Sequence, residues 1–317
     1  MKIILVAIFF TISIFARVDL SIKPKGDNNS IQSAKPLIWQ VTKGDEKFYL
    51  FGTMHLPNPI ITKDIVPVAK GLIDRADSVY TEIPLDFLTK MAITKAMMRD
   101  DNKTLSDILP KKTYQKLDSF LKSINPMFDT KGFDKMKIWA ISFMLSGLEA
   151  QIKYREYKPL DSEIFNYALS KKKFGGGIEK VEEQLSLFND FSQEELIQIL
   201  DKSLDFYIKY PNFTDELLKF YFAGDTKAID KLNKQSNDFI DLPKELKDRV
   251  NKKLLFDRNL KMTKQIEKIT KDKKLYLFAF GAMHFIGKDS VVELLKKDGY
   301  IVKRVDYKEV KKDDKRD

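Results

Sequence analysis

The sequence predicts an α/β protein in which one mixed central sheet is built from the N- and C-terminal parts of the chain, with a large helical insertion between them. Three observations predict it. β-rich apolar runs gather before residue 85 and after residue 274; the first of them alternate strand, helix, strand; and from about 85 to 270 the apolar spacing is mostly helical.

Leu37 to Val41 and Lys47 to Phe51 read as two strands joined at Lys43-Gly44-Asp45, a hairpin. Asp64 to Ala76 is an amphipathic helix, followed by a strand from Ser78 to Ile83 that ends at Pro84. Helices follow to about Leu148, broken at Pro110, Pro126 and Gly132. Asp161 to Ser170 is a further helix and Phe174 to Ile178 a strand; Val181 to about Lys234 is helical, interrupted near Pro211 and Gly224. One long charged helix is expected from Pro243 to about Lys271. Strand Leu275 to Phe280, helix Ser290 to Lys297, a turn at Asp298-Gly299 and strand Ile301 to Val305 close the chain. Two weaker patterns have plain readings: Lys171 to Gly177 lacks the Gly-Lys-Ser/Thr of a phosphate loop and reads as a helix-to-strand connection, and Trp139, Phe143 and Met144 read as core.

A chain of 317 residues with 43% hydrophobic content can bury a substantial core. Its net charge of +10 is spread along the sequence, and no basic helix or zinc finger is present, so no nucleic-acid partner is expected. The absence of cysteine excludes disulfides and thiol catalysis. Ile3 to Ala16 is an apolar run after Lys2, too short to span a bilayer comfortably, and a polar stretch follows it. This reads as a signal peptide over 1–16 with a linker over 17–35, a main domain over 36–306 and a charged tail over 307–317, whose end from Lys311 to Asp317 is expected to be disordered and solvated. The expected location is therefore periplasmic or extracellular, with membrane contact only through the leading segment if it stays uncleaved.

The chain has two histidines, and each ends a Phe-Gly-x-Met-His motif: Phe51 to His55 and Phe280 to His284. With only 13 glycines in the chain, Gly52 and Gly281 falling three residues before both histidines is not a chance expectation. Each glycine lets the backbone turn where a Cβ would clash, which puts an imidazole at a strand's carboxyl end, the ligand-binding edge of an open α/β sheet. There it can act as metal ligand or base. A carboxylate partner is needed for either, and Glu82, at the end of an apolar strand, is placed to supply it. Two histidines and a glutamate suit a divalent metal such as Mn²⁺, Co²⁺ or Zn²⁺ and leave positions open for water and substrate.

At these residues the sequence resembles the TraB/GumN family, which includes the Tiki metalloproteases. The resemblance rests on Phe51-Gly52-Thr53-Met54-His55, Glu82, the segment Ile178 to Gln184, the pair Arg258-Asn259, and Phe280-Gly281-Ala282-Met283-His284. It implies a catalytic and metal-binding role for His55, Glu82 and His284, and an exported metal-dependent hydrolase that cleaves peptide or related bonds with a metal-activated water. For Arg258, Asn259 and Glu179 it suggests substrate contact; the alternatives are a solvated ion pair for Arg258 and capping of the next helix for Glu179 and Gln184. Erythromycin esterases and a haem-binding lipoprotein family share a similar fold. Two other functions therefore stand beside hydrolysis at a metal: a protein that sequesters a peptide or haem, and a metal-independent esterase using His55 as base.

Overall fold

The computed structural model describes residues 33–272 and 274–313. The expected signal segment, most of the linker and the last four residues of the tail lie outside this range.

The sheet has six strands in the order β4-β3-β5-β2-β1-β6. They are β1 (Leu37–Lys43), β2 (Glu46–Thr53), β3 (Ser78–Thr81), β4 (Phe174–Gly177), β5 (Tyr276–Gly281) and β6 (Ile301–Arg304). β1 runs antiparallel to both β2 and β6, while β2, β5, β3 and β4 pair in parallel. The two ends of the chain thus make one sheet, as the strand positions predicted. All six residues of β5 are buried, the continuous apolar run expected of a central parallel strand covered on both faces. The β1–β2 hairpin closes through Gly44 at φ +57°, a left-handed conformation that glycine adopts without a Cβ penalty.

β4 is the one strand inside the helical insertion, and its glycines are explained by its neighbour. A Cβ on Gly175 would strike the Tyr80 ring, and one on Gly177 would strike Pro84 and the Ile83 backbone. The glycine run is a packing device, as the helix-to-strand reading expects. Around it the helices form a lobe with its own aromatic centre, where Trp139 and Phe188 stack at 4.3 Å and Phe143 meets them edge-on. Trp139 and Met144 are core, as read from the sequence, and Phe143 packs against that core.

Two local expectations need correction. Strand β3 stops at Thr81 rather than Ile83, because the Thr81 hydroxyl donates to the Ile83 carbonyl at 2.7 Å and folds the chain over ahead of Pro84. The long helix after Pro243 is helical throughout but not uniform: Lys244–Asn251 and Asp257–Ile269 are α, and Lys252–Phe256 between them is a π-turn. A wider turn shifts every following residue around the helix axis, and the next two are Arg258 and Asn259. The charged tail begins as a helix, Tyr307–Asp313, ahead of and into the end expected to be solvated. Buried Val310 pins it, and Arg75 donates to the Val310 carbonyl at 2.7 Å.

Candidate functional site: a histidine–carboxylate centre at the carboxyl edge

The site follows from strand order. β5 lies between β2 and β3, all three run parallel, and Thr53 is in register with Gly281. His55 leaves the end of β2, Glu82 the end of β3, and His284 sits in the 3₁₀ turn Ala282–Phe285 after β5. Residues spread over more than 200 positions of sequence meet at one edge because three neighbouring strands stop there together.

The residues are buried, with His55 7%, Glu82 9% and His284 3% exposed. Both imidazoles are fixed through Nδ1. His55 Nδ1 lies 2.7 Å from Asp161 Oδ2, and Thr53 Oγ1 donates to the other oxygen of Asp161 at 2.5 Å. His284 Nδ1 lies 2.6 Å from Asn259 Oδ1. Asn259 Nδ2 donates to the Asp289 carbonyl at 2.8 Å, which turns its Oδ1 to His284 and makes His284 Nδ1 the donor. Both Nε2 atoms then face one atom, Glu82 Oε1, at 3.6 Å from His55 and 3.7 Å from His284.

Glu82 is held from several sides. Its Oε1 accepts the Gly281 amide at 2.7 Å; its Oε2 accepts from Arg258 at 2.7 Å and from Gln184 at 3.4 Å. Arg258 also grips Glu179 through Nε at 2.9 Å and Nη2 at 2.6 Å. Burial alone would lower the Arg258 pKa, but Glu179 and Glu82 more than reverse this. Burial favours the neutral form of Glu82, yet His284, Arg258 and His55 hold its carboxyl well below the usual range. Burial likewise disfavours charge on His55, but Asp161 and then Glu82 overcome it and raise its pKa to about 10. His284 goes the other way, to about 4, pushed by burial and by Arg258. One histidine is therefore charged and the other neutral at pH 7.

The reason for the motif glycines also becomes specific. Neither has a positive φ. A Cβ on Gly281 would lie 2.9 Å from His55 Nε2 and 3.0 Å from Glu82 Oε1, whereas one on Gly52 would meet Leu37 Cβ at 3.0 Å and the Ala282 backbone at 3.3 Å. They are needed for close approach, Gly281 to the site itself and Gly52 to the strand packing beneath it.

Arg258, Asn259 and Glu179, expected to contact substrate, are set behind Glu82 and His284 and occupied with protein partners. Arg258 is not a solvated pair, since it is 2% exposed. Nor do Glu179 and Gln184 cap the next helix. Glu183 does that, accepting from the Lys180 amide at 3.2 Å, while Gln184 donates to Glu179 at 2.8 Å. Sequence reasoning missed Asp161 and Tyr221, whose hydroxyl donates to the Gly52 carbonyl at 2.9 Å. Asp161 left a trace: it shares a helical face with Ile164, Phe165 and Ala168, and an acid on an apolar stripe is costly unless it has a partner.

Among the described residues, no three His, Cys, Asp or Glu side chains are already closed around a point as a ready-made metal centre. Two of the three donor spacings are nevertheless compatible with a cation. Neutral His284 turns an unprotonated nitrogen toward a carboxylate oxygen at 3.7 Å, too far for a hydrogen bond. Ligands bonded at about 2.0–2.2 Å to a tetrahedral ion lie about 3.4 Å apart, close to the 3.6 and 3.7 Å found here.

Fold and site together define an α/β protein with a buried histidine–carboxylate centre at the carboxyl edge of a parallel sheet core. More particularly, the chain belongs to the TraB/PrgY/gumN family, which it matches over residues 37–304. Among curated proteins it is similar to metalloprotease TIKI1 of Xenopus tropicalis, 27% identical with 87% of this chain and 62% of that protein covered. It resembles a metalloprotease TIKI homolog of Nematostella vectensis at 27%, covering 88% and 69%, and human metalloprotease TIKI1 at 27%, covering 84% and 61%. The chain thus spans about three fifths to two thirds of the length of these relatives. No solved structure matches it.

Proposed function

We propose that this protein is a metal-dependent hydrolase of peptide bonds that works outside the cytoplasm. The observation that carries the reading is the aim of the two imidazoles: each is fixed through Nδ1 by its own partner, and both present Nε2 to Glu82 Oε1. A hydrogen bond to the far nitrogen of a metal-binding histidine sets its tautomer and direction. His55, His284 and Glu82 would hold the ion, with Asp161 and Asn259 orienting the rings and Arg258, Glu179, Gln184 and the Gly281 amide holding the carboxylate. When bound there, Mn²⁺, Co²⁺ or Zn²⁺ supplies Lewis-acid polarisation and makes water nucleophilic at neutral pH. To hold a cation His55 would have to lose its proton to solvent, and the negative potential of Asp161 and Glu82 that raises its pKa would also favour the ion. Glu82, ionised at neutral pH, is the carboxylate that faces both rings and could accept a proton there. Peptide is the favoured substrate because the matched relatives carry the name metalloprotease.

The test is incubation with a peptide library, with and without chelator and each of the three metals, read by mass spectrometry. Cleavage lost on chelation and restored by metal supports the proposal. Turnover indifferent to chelators would contradict it and favour an esterase with His55 as base, and a Soret band on mixing with haem would favour sequestration. Export, proposed from the apolar run Ile3 to Ala16, predicts protein in the cell envelope beginning between about Arg17 and Ile22.

A further inference from the structure

Each histidine motif carries a methionine just before its histidine, Met54 and Met283, and the chemistry of the centre uses neither. Both line one cavity, together with Leu217 and Tyr221 of the helix Phe213–Ala223 and Ile229 of the helix Thr226–Phe239. All five of these side chains are buried. Gly281 and His284 also belong to the wall, so the cavity touches the histidine–carboxylate centre directly. The two motifs thus build the centre with their histidines and a space beside it with their methionines.

Size and polarity identify the occupant. The cavity measures about 20 Å³. One water needs about 10–15 Å³, so a water or a methyl group fits and a branched side chain does not. The polar groups of the wall are already engaged within the protein. Thr53 Oγ1 donates to Asp161, the Tyr221 hydroxyl to the Gly52 carbonyl, the Gly281 amide to Glu82, and His284 Nδ1 to Asn259. What is left is hydrocarbon and thioether, where a water finds few partners and a methyl group gives up none. The Tyr221 bond also ties the helix Phe213–Ala223 to the end of β2, which fixes one wall relative to the strand that leads to His55.

We propose that this cavity receives the side chain of a substrate residue flanking the cleaved peptide bond, accepts alanine or glycine there, and turns larger residues away. The proposal rests on the hydrolase reading for its substrate and adds the selectivity. The two Cα atoms across a peptide bond are about 3.8 Å apart, so with that bond at the centre a flanking side chain reaches a wall that includes His284. Extra methylenes forced into a tight apolar site strain it, and a single one changes relative rates by about 10–200-fold. Ile229, well along its helix and outside the centre, is a residue that sets the size limit.

The test has a binding arm and a cleavage arm. In the first, metal-free protein with isotope-labelled methionine methyls is titrated with acetyl-Ser-Ala-Ser-amide and with acetyl-Ser-Leu-Ser-amide, the signals being assigned through Met54→Leu and Met283→Leu. The alanine peptide is expected to shift both methyl signals and the leucine peptide neither. Ile229→Ala enlarges the cavity and should let the leucine peptide shift them too. In the second arm the Zn²⁺-loaded proteins cleave a random peptide library, and mass spectrometry reads the residues around each cut. Wild type should favour alanine over leucine by at least about tenfold at one flanking position, and Ile229→Ala should erase that ratio at that position alone. Melting temperature checks that the variant is folded, and the wild-type titration decides the proposal even where it is not. An alanine peptide that leaves both methyl signals unmoved makes the cavity a packing void and overturns the proposal. So does a folded Ile229→Ala protein that keeps the wild-type ratio. The expected methyl shifts without cleavage under any metal would sink the hydrolase reading and leave the cavity assignment standing. Cleavage with no preference for small residues has the opposite meaning.

Discussion

The Gly281 amide donates to Glu82 Oε1 at 2.7 Å, so the backbone of one histidine motif holds the carboxylate that faces both histidines. The Cβ of a Gly281→Ala variant would lie 2.9 Å from His55 Nε2 and 3.0 Å from Glu82 Oε1. This variant is expected to lose at least about tenfold in turnover with a small change in melting temperature, since a misplaced catalytic group is costly. Gly52→Ala presses instead on Leu37 and the Ala282 backbone and should cost stability, by about 1–3 kcal/mol. Parallel turnover and melting measurements separate the two, and matching phenotypes would contradict the distinction.

With only two histidines, imidazole NMR gives one titration per ring. In the metal-free protein His55 is expected to titrate near 10 and His284 near 4. Asp161→Asn removes the strongest charge acting to raise the former, so the His55 value should fall while His284 moves little. Two ordinary titrations near 6.5 would show that the rings are not placed as described.

Metal-free stability should peak near pH 6.5. His284 has a depressed pKa, so as pH falls from 6.5 toward 4 the unfolded chain binds a proton that the folded one refuses, and stability drops. Glu82, also depressed, adds a loss that begins below about 4.5. His55, with its pKa raised, contributes fully below 6.5 and loses its contribution as pH climbs toward 10. Urea unfolding across this range checks the curve, and His284→Asn should flatten the limb between 6.5 and 4.

Arg258→Met leaves Glu82 and Glu179 buried without their shared cation. Breaking a buried ion network by removing one member costs about 3–5 kcal/mol, and denaturant midpoints should record it. Adding Glu179→Gln should recover part of the loss, because one stranded charge is gone. A single Arg258→Met variant as stable as wild type would mean that the network does not hold the site.

The fold was legible because periodicity carries it: the hairpin, the parallel strand around Leu277 and the helical middle follow from apolar spacing. So were His55, Glu82 and His284, since repeated glycine–histidine spacing and a strand-end acid are local patterns. Asp161 was not, because an acid in a helix's first turn looks the same whether it caps the helix or faces inward to a histidine. The roles of Arg258 and Asn259 depend on the π-turn at Lys252–Phe256, which no residue pattern announces, and on which strands become neighbours. Pairing between distant segments decides both, and a single sequence does not display it.

The most direct test of the central claim takes His55→Ala, His284→Ala and the double variant and measures bound metal per chain, turnover and melting temperature together. A metal site on a preformed sheet predicts that each single change lowers affinity by well over tenfold and abolishes turnover, that the double variant holds no ion, and that all three stay folded. Two core histidines would give the reverse, a loss of roughly 1–3 kcal/mol of stability with function retained. Wild-type turnover and full metal content in the double variant would contradict the account.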